Sequence, residues 1–372
     1  VDVTDRRGVV RRAEFAAGGY LVKNTFALGQ PEQRVETYEI VNGLQVASTD
    51  ALNRKTAYEY DAKGNVTKVT KLAGTANAVS TVITYHSVFN QPLTVTDANA
   101  NKTSFTYDTK GNLTRVTDAL LNATTIAYDG QGKVLSITDP LLKKTTLAYE
   151  WGDLASVTDP LSRKVQYVTD ALGRVMTTID PLGHRSYQDW DGLNRLTQIT
   201  DVLGSTIGFS YDANGNLRTQ VDQKGNTTTT TYNALGKPAS VRDPLLKTET
   251  LAYEVGGLIK QKIDRKGQLS SVTYDSLGRA KRIGFGATAA QPTAFKSVLE
   301  LTWDAGDRMT QIIDKSCANP TTSLNCASVA SSSTITRTWD NLDRLIKEVT
   351  PQGEVNYTYD NGGRRTSMTV KN

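Results

Sequence analysis

Apolar and polar residues alternate in short segments along this 372-residue chain. The pairs Phe105 and Tyr107, and Phe209 and Tyr211, are each separated by a single Thr or Ser. An alternation of period two that uses threonine and aromatic residues is typical of a β-strand with one apolar face. The pattern therefore predicts a succession of short strands of about six residues each, with very little helix.

An anchor that is usually an aromatic residue followed by an acidic one recurs every 21 residues from Tyr107 to Tyr274, apart from one step of 20 residues that ends at Thr169. The third residue after the acidic position is Gly, Asn or Asp throughout. These residue types tolerate a positive φ, and an initial Asp favours a type I turn closed by a G1 bulge. The repeating unit is therefore predicted to be a β-hairpin, and we call the turns that begin at the acidic residue anchor turns.

The aromatic, acidic and glycine positions of five anchor turns are the predicted structural anchors of the array. They are Tyr60, Asp61 and Gly64; Tyr107, Asp108 and Gly111; Tyr128, Asp129 and Gly132; Tyr211, Asp212 and Gly215; and Tyr274, Asp275 and Gly278. The glycines are expected at positive φ, which an L-residue with a Cβ adopts only with strain.

A second kind of turn lies half a period away and begins with Asp, as in the DPLL segments at 139 and 243 and the DPLS segment at 159. Asp followed by Pro again favours a type I turn. Because the fourth residue varies, we expect these half-period turns to be less strictly left-handed than the anchor turns. In the strand that leaves an anchor turn, Leu113 and Val116 fall on opposite faces of a regular strand, which indicates a bulge or a late strand start.

These features predict an all-β fold, a tandem array of 21-residue antiparallel hairpins. An open twisted sheet of roughly thirty strands would be too wide to stay flat, so we expect it to curl or spiral into a shell or solenoid. A β-propeller is less consistent with the turns, because alternate units do not differ as inner and outer strand pairs. A parallel β-helix would not need hairpin turns at both half-periods.

The repeat also divides the chain. Residues 1–45 carry only faint copies and are expected to form an irregular N-terminal cap or degenerate repeats, whereas residues 46–372 form the array. The spacing of the aromatic residues widens over 284–295 and 315–333, which are rich in small and polar residues. We expect both of these insertions to be long surface loops.

Composition excludes several classes of function. Hydrophobic residues make up 38% of the chain, and no apolar run approaches the length of a membrane span. The net charge of +5 comes from 43 basic and 38 acidic residues that are interspersed, so a nucleic-acid partner is not expected.

Chemistry-bearing residues are sparse. Cys317 and Cys326 are the only cysteines, and His86 and His184 are far from them in sequence, so neither a metal site nor a cofactor is expected. A local disulfide is favoured over two free thiols, and it would place the protein outside the cytosol. The many Asp residues are explained by their turn positions, and His184 is interpreted as a turn residue. No catalytic motif is present, and an enzyme is not predicted.

The motif Y-D-x-x-G-N-L at residues 107–113 and 211–217, together with T-D-P-L at 138–141 and 158–161, resembles the YD repeat of RHS proteins. The shell-forming subunits of insecticidal toxin complexes and the teneurins carry similar repeats. The resemblance covers about residues 50–372 and implies hairpins that wind into a hollow shell, often around a C-terminal toxin. No self-cleavage residues match, and any cargo would lie in sequence outside these residues.

The resemblance implies a non-catalytic segment of a secreted bacterial shell that encapsulates or presents a polypeptide toxin. The expected partner is this cargo or the remainder of a larger protein, with self-association through the sheet edges as a further possibility. The alternative is an extracellular module that binds carbohydrate or a cell surface. One aromatic residue per unit at a fixed register favours the shell, because glycan sites usually use aromatic residues at irregular positions.

Overall fold

The protein is described by a computed structural model that covers residues 1–321, 324, 326 and 328–371. In these residues the chain forms 33 β-strands and no helix. Accordingly, the described part of the chain contains no helix that is long and apolar enough to cross a membrane. All the strand pairings with a resolved register are antiparallel, which rules out a parallel β-helix and confirms the predicted fold class of tandem hairpins.

The chain divides into two compact units. Unit 1 consists of Val1–Tyr85, Val95–Asn101 and the residues from Glu249 onward. Its N-terminal strands are β1 Asp2–Thr4, β2 Val10–Phe15, β3 Leu21–Phe26, β4 Arg34–Val41, β5 Leu44–Thr49, β6 Lys55–Tyr60, β7 Val66–Lys71 and β8 Val79–Tyr85. Its C-terminal strands are β24 Thr248–Tyr253, β25 Ile259–Ile263, β26 Gln268–Tyr274, β27 Ala280–Thr288, β28 Phe295–Trp303, β29 Met309–Thr321, β30 Val329–Trp339, β31 Leu345–Thr350, β32 Gly353–Tyr359 and β33 Arg365–Lys371.

Unit 2 consists of His86–Thr94 and Lys102–Thr248. Strand β9, Pro92–Thr96, begins in this unit. The other strands of unit 2 are β10 Lys102–Tyr107, β11 Leu113–Thr117, β12 Ala123–Tyr128, β13 Val134–Thr138, β14 Lys144–Glu150, β15 Asp153–Thr158, β16 Lys164–Thr169, β17 Val175–Ile179, β18 Arg185–Trp190, β19 Leu196–Thr200, β20 Thr206–Tyr211, β21 Leu217–Val221, β22 Thr227–Tyr232 and β23 Pro238–Arg242.

The anchor hairpins contain a bulge beside the anchor residue, and the β26–β27 and β28–β29 pairs contain a second irregularity. In the β10–β11 pair, Tyr107 lies opposite Leu113 and Thr106 lies opposite Arg115, so Thr114 is the extra residue. The same shift occurs beside Tyr211, which pairs with Leu217. The irregular spacing of apolar residues after the turn is therefore explained by a bulge, which moves the leucine and the later valine onto compatible faces.

The turn conformations agree with one prediction and correct another. Gly111, Gly215 and Gly278 have φ values of 86°, 85° and 81°, which confirms the positive φ predicted for the anchor turns. The half-period turns are equally left-handed, although we expected them to be less so. Leu121 and Leu142 adopt φ values of 67° and 63° there, because both backbone hydrogen bonds of the turn, such as Leu142 N–H to the Asp139 oxygen at 3.0 Å, require this geometry whatever the side chain.

The two insertions differ from the loops that we expected. Residues 284–288 extend β27, and residues 315–321 and 329–333 extend β29 and β30. Both insertions therefore lengthen hairpins, because each new strand segment finds a partner in the ladder. Residues 322, 323, 325 and 327 of the second insertion lie outside the described part of the chain. Residues 2–41, in the segment expected to be irregular, form β1–β4 and pair as antiparallel hairpins.

A small hydrophobic core lies beneath the extended hairpins of unit 1. Leu269, Ala287, Phe295, Val298 and Cys326 are buried there, and Val298 is completely inaccessible. Most other apolar side chains of the array are only partly buried. The hairpins must therefore be held together largely by their ladders and by side-chain contacts between neighbouring hairpins, which we describe next.

Candidate functional site: the turn edges and the disulfide hairpin

Most anchor turns are organised around an acidic side chain, as the turn at Asp212 illustrates. Oδ1 of Asp212 accepts hydrogen bonds from the amides of Asn214 and Asn216, both at 2.9 Å. Its Oδ2 accepts a third bond from the Asn216 side-chain amide at 3.0 Å. Gly215 N–H donates to the Asp212 main-chain oxygen at 3.0 Å. The carboxylate thus satisfies the polar groups of the whole turn, which explains why Asp recurs at this position.

These hydrogen bonds favour the ionised carboxylate. The side chain of Asn216 lowers the pKa of Asp212, and Asn112 does the same for Asp108. Arg364 has the largest effect, since its side-chain hydrogen bond and its backbone amide lower the pKa of Asp360 from 3.8 to about 2. The lowered pKa values follow from hydrogen bonds within the turns, so they give no indication of acid–base chemistry.

In most repeats the aromatic anchor binds the preceding hairpin. Tyr211 Oη donates to the main-chain oxygen of Leu196 at 2.7 Å, and Tyr128 Oη does the same to Leu113 at 2.9 Å. Trp190 Nε1 makes the equivalent bond to Val175 at 2.9 Å. The other residues with this bond are Tyr60, Tyr85, Tyr107, Tyr232, Tyr274, Trp303, Trp339 and Tyr359. The anchor therefore acts as a latch between neighbouring hairpins.

A basic residue four places after the acidic one makes the reverse connection, to the next hairpin. Arg195 donates to the Asp191 carboxylate at 2.7 Å, and its guanidinium lies 4.7 Å from the centre of the Tyr211 ring. Arg344 likewise lies over Tyr359 and donates to the main-chain oxygen of Asp360 at 2.7 Å. Each guanidinium thereby combines an ion pair with a cation–π contact.

These basic residues connect neighbouring hairpins, a role that the sequence did not lead us to predict. The signal was available, because the fourth residue after the acidic position is Arg, Lys or Asn in nearly every anchor turn. The forward contact to the next aromatic ring could not be read from the spacing, since it depends on the stagger of adjacent hairpins.

Within unit 1, turns of the N-terminal segment interlock with anchor turns of the C-terminal segment. Arg54 donates to Oδ1 of Asp343 at 2.6 Å and to the Asn341 main-chain oxygen at 3.0 Å. Arg34 makes a salt bridge to Asp307. Arg7 donates to the main-chain oxygen of Ser276 at 3.1 Å. Arginines in or beside turns of the N-terminal segment therefore contact anchor turns of the C-terminal segment.

Shape complements charge at this contact. A Cβ added to Gly306, in the adjacent anchor turn 304–308, would lie 2.7 Å from Cδ1 of Leu52, so the leucine fits where that turn has no side chain. Asp343 is shared, because it also accepts a hydrogen bond from Arg308 at 3.0 Å. A groove of about 290 Å³ beside turn 340–344 is lined by polar and apolar residues that include Lys71, Asp97, Leu342 and Arg344.

The second candidate site is the tip of the extended hairpin. Cys317 and Cys326 are joined by a disulfide with a Cα–Cα distance of 5.3 Å. Cys326 is buried against Phe295 and Val298, and Leu324 packs on the same cluster. The disulfide and the apolar cluster together attach this tip to β27 and β28.

The remaining sequence candidates behave as turn residues. His184 Nδ1 lies 2.9 Å from Oδ2 of Asp180, within a half-period turn. His86 occupies the acidic position of an anchor turn, and its Nδ1 accepts from the amides of Val88 and Phe89 at 3.2 and 3.3 Å. No group of His, Cys, Asp and Glu that could hold a metal ion occurs among the described residues.

The sequence and the fold are both similar to those of known proteins. The RHS Repeat family matches residues 41–76, 86–121, 170–206, 211–246 and 339–372. No curated protein matches the sequence. Among solved structures, the chain is similar to a structure of the Photorhabdus luminescens Tc holotoxin pore, with 17% identity and a TM-score of 0.75 over 98% of this chain and 21% of that one.

Two crystal structures of related complexes match to a similar degree. The TcdB2-TccC3 structure has 17% identity and a TM-score of 0.75, over 99% of this chain and 22% of that one. The TcdB2-TccC3-Cdc42 structure has 15% identity and a TM-score of 0.73, with the same coverage of 99% and 22%. The chain thus spans about a fifth of the length of the structures it matches and shares their fold over that part. With its latched hairpins and five matching segments, the chain belongs to the RHS-repeat proteins.

Proposed function

We propose that residues 1–372 form a non-catalytic wall segment of a secreted bacterial shell that encloses or presents a polypeptide. The observation that carries the proposal is the reciprocal connection between repeats. The aromatic anchor binds the preceding hairpin, as Tyr211 does at Leu196, and the arginine reaches the following one, as Arg344 does at Asp360. Such connections let a sheet with little core of its own extend without a break, which is the requirement of a wall.

Two further observations support the proposal. The fold is shared with complexes that contain TcdB2 and TccC3. The polypeptide that the shell encloses or presents is therefore a partner protein or the remainder of a larger protein. The disulfide between Cys317 and Cys326 suits an oxidising compartment outside the cytosol.

The test is electron cryomicroscopy of the natural full-length polypeptide, combined with limited proteolysis. We expect a wall around an internal volume that contains additional polypeptide density, and a segment that resists protease in the intact particle. The variant Arg54→Glu should open the wall and expose that segment, because it reverses the charge that faces Asp343. The matched control is Lys143→Glu, at the same position of an exposed half-period turn. A solid particle without an internal volume would refute the shell.

A second candidate function, carbohydrate binding, is favoured by one residue. Trp151 is 96% exposed at an anchor turn, beside a polar pocket of about 240 Å³ that includes Asp153 and Tyr167. An exposed aromatic face next to carboxylates is suited to stacking on a sugar ring. Glycan-array binding that disappears in Trp151→Ala but persists in Leu172→Ala, an exposed residue of the next anchor turn, would favour this candidate over the shell.

A further inference from the structure

The turns of unit 2 expose two rows of apolar side chains. The first row belongs to the half-period turns and includes Leu141, Leu161, Leu182 and Leu203. We call this row the half-period edge, with turns 139–143, 159–163, 180–184 and 201–205. The second row, the anchor edge, belongs to turns 150–153, 170–174 and 191–195 and includes Trp151, Leu172 and Leu193. Hairpin turns alternate between the two ends of successive strands. The two rows therefore lie at opposite ends of the strands, and "edge" refers here to a row of turns and not to an outermost strand.

The interlocked turns of unit 1 show what covers such a row. Turn 50–54 has the sequence DALNR and turn 159–163 has the sequence DPLSR, so both place Leu at the third position and Arg at the fifth. In both turns the arginine also binds its own aspartate, Arg54 at 2.7 Å and Arg163 at 2.6 Å. The two turns are therefore matched in sequence and in local geometry.

Their surroundings differ. The Arg54 side chain is 15% exposed because it also reaches Asp343 and Asn341 of an anchor turn, whereas the Arg163 side chain is 65% exposed. Leu52 is half-buried against Gly306, whereas Leu161 is 73% exposed. Turn 159–163 thus has the groups that bind an anchor turn and leaves them uncovered.

The anchor edge shows the complementary difference. Leu277 and Leu342, at the third position of anchor turns in unit 1, are half-buried where the N-terminal segment covers them. At the same position in unit 2, Leu172 and Leu193 are 70% and 72% exposed. Main-chain oxygens of the kind that Arg54 binds at Asn341 belong to every anchor turn, so an arginine from outside would find acceptors on this edge.

We propose that unit 2 carries a complementary pair of docking edges, and that the half-period edge of one molecule binds the anchor edge of a second copy of this chain. The precedent inside unit 1 identifies the occupant as a row of anchor turns, and a second copy presents such a row with the same steps of 20 and 21 residues as the half-period edge. Trp151 is the largest exposed side chain on the anchor edge, and tryptophan is enriched among the residues that dominate interface energies.

The two edges are different surfaces, so the contact is heterologous and allows continued growth. Each molecule that binds through one edge leaves its other edge free for the next. The proposal concerns the association of copies of these 372 residues and does not depend on whether the shell encloses a cargo.

Two variants test the edges separately. One carries Leu161→Asp, Arg163→Glu and Leu182→Asp, which block the half-period edge; the other carries Trp151→Asp, Leu172→Asp and Leu193→Asp, which block the anchor edge. All six side chains are well exposed, so both variants should fold, as circular dichroism would verify. The matched control is Val168→Thr, which removes an exposed apolar side chain from strand β16, away from both edges.

In analytical ultracentrifugation, the unmodified chain and the control should form species larger than dimers as the concentration approaches about 100 µM. Each edge variant alone should remain monomeric at this concentration, with an association constant at least tenfold lower than that of the unmodified chain. An equimolar mixture of the two variants should form a one-to-one dimer and stop there, because only one compatible pair of edges remains. An unmodified chain that stays monomeric, or association that survives both sets of substitutions, would overturn the proposal.

Discussion

The guanidinium of Arg54 binds the carboxylate of Asp343 at 2.6 Å, although the two residues are 289 positions apart in the chain. Arg54 is well covered whereas Asp343 is about half exposed, so water screens part of the interaction. We expect Arg54→Ala to destabilise the contact between the two segments of unit 1 by about 1 kcal/mol.

The measurement is hydrogen exchange at turn 340–344, which should lose protection in Arg54→Ala. A double-mutant cycle with Asp343→Ala would isolate the pair. Lys143→Ala, at the same turn position in unit 2, is the control and should leave turn 340–344 unchanged. Equal exchange in Arg54→Ala and in the unmodified chain would contradict the interlocking of these turns.

Tyr211 contributes both a half-buried ring and a hydrogen bond to the preceding hairpin. Tyr211→Ala removes the ring, its contact with Arg195 and the bond to Leu196, and should cost about 3 kcal/mol locally. Tyr211→Phe keeps the ring and should cost only about 1 kcal/mol. Hydrogen exchange in β19 and β20 would separate the two contributions, and identical effects of both variants would show that the ring packing is unimportant.

The left-handed turn residues lead to a pair of opposite predictions. Leu142 is 84% exposed with a φ of 63°, so Leu142→Gly relieves strain while losing little packing and should stabilise the hairpin by about 0.5–1 kcal/mol. Gly215→Val introduces strain at a φ of 85° and should cost about 1–2 kcal/mol, whereas Gly215→Asn should be tolerated. Thermal unfolding of the three variants checks the order, and a destabilising Leu142→Gly would argue against strain at that turn.

Acid should weaken the turns. The Arg364 side chain and amide lower the pKa of Asp360 to about 2 from an ordinary value of 3.8. Because the folded pKa lies below the unfolded one, this stabilisation is complete above about pH 4 and is lost as the pH falls through about 2. Many anchor-turn carboxylates have pKa values shifted in the same direction, including Asp108, Asp191 and Asp212.

The measurement is a titration of the unfolding free energy between pH 5 and pH 1, paired with the variant Asp360→Asn. The variant should show a smaller loss of stability over this range than the unmodified chain. Stability that is independent of pH over the whole range would mean that the carboxylates do not support the turns.

The disulfide between Cys317 and Cys326 should stabilise the tip of the β29–β30 hairpin. Reduction, or the variant Cys317→Ser, should cost about 2–3 kcal/mol locally, since the bond closes a short loop against the buried cluster around Phe295. Mass spectrometry under oxidising conditions should show both sulfurs protected from alkylation, and hydrogen exchange in 309–339 should rise after reduction. Free alkylation of both thiols without reduction would contradict the bond.

The strands and anchor turns could be predicted from sequence because their causes are local. Alternating apolar residues define a strand, and Asp followed by Gly three places later, as at Asp212 and Gly215, specifies the turn. The left-handed conformation of Leu142 could not be predicted in this way, because residue preference opposes it and the hairpin hydrogen bonds override that preference. The extension of β30 over its serine-rich stretch likewise depends on pairing with β29.

Contacts between distant turns were beyond sequence reasoning for a different reason. The pairing of Arg54 with Asp343 depends on how many hairpins separate the two segments and on the twist of each. Neither quantity can be read from residue types. The repeated sequence specifies the unit well, but many positions have nearly identical neighbours, so it does not identify which turn meets which.

The tyrosine latch also determines how the array would respond to mechanical force. Tyr211 binds at Leu196 and Tyr232 binds at Leu217, so a hairpin pulled from the C-terminal end gives up its own latch before the preceding one is loaded. Between Tyr107 and Tyr274 the hairpins should therefore detach one at a time, each releasing about 21 residues and lengthening the chain by about 70 Å. A wall of this kind yields in small equal steps under tension, and a local rupture in it stops at the next intact tyrosine.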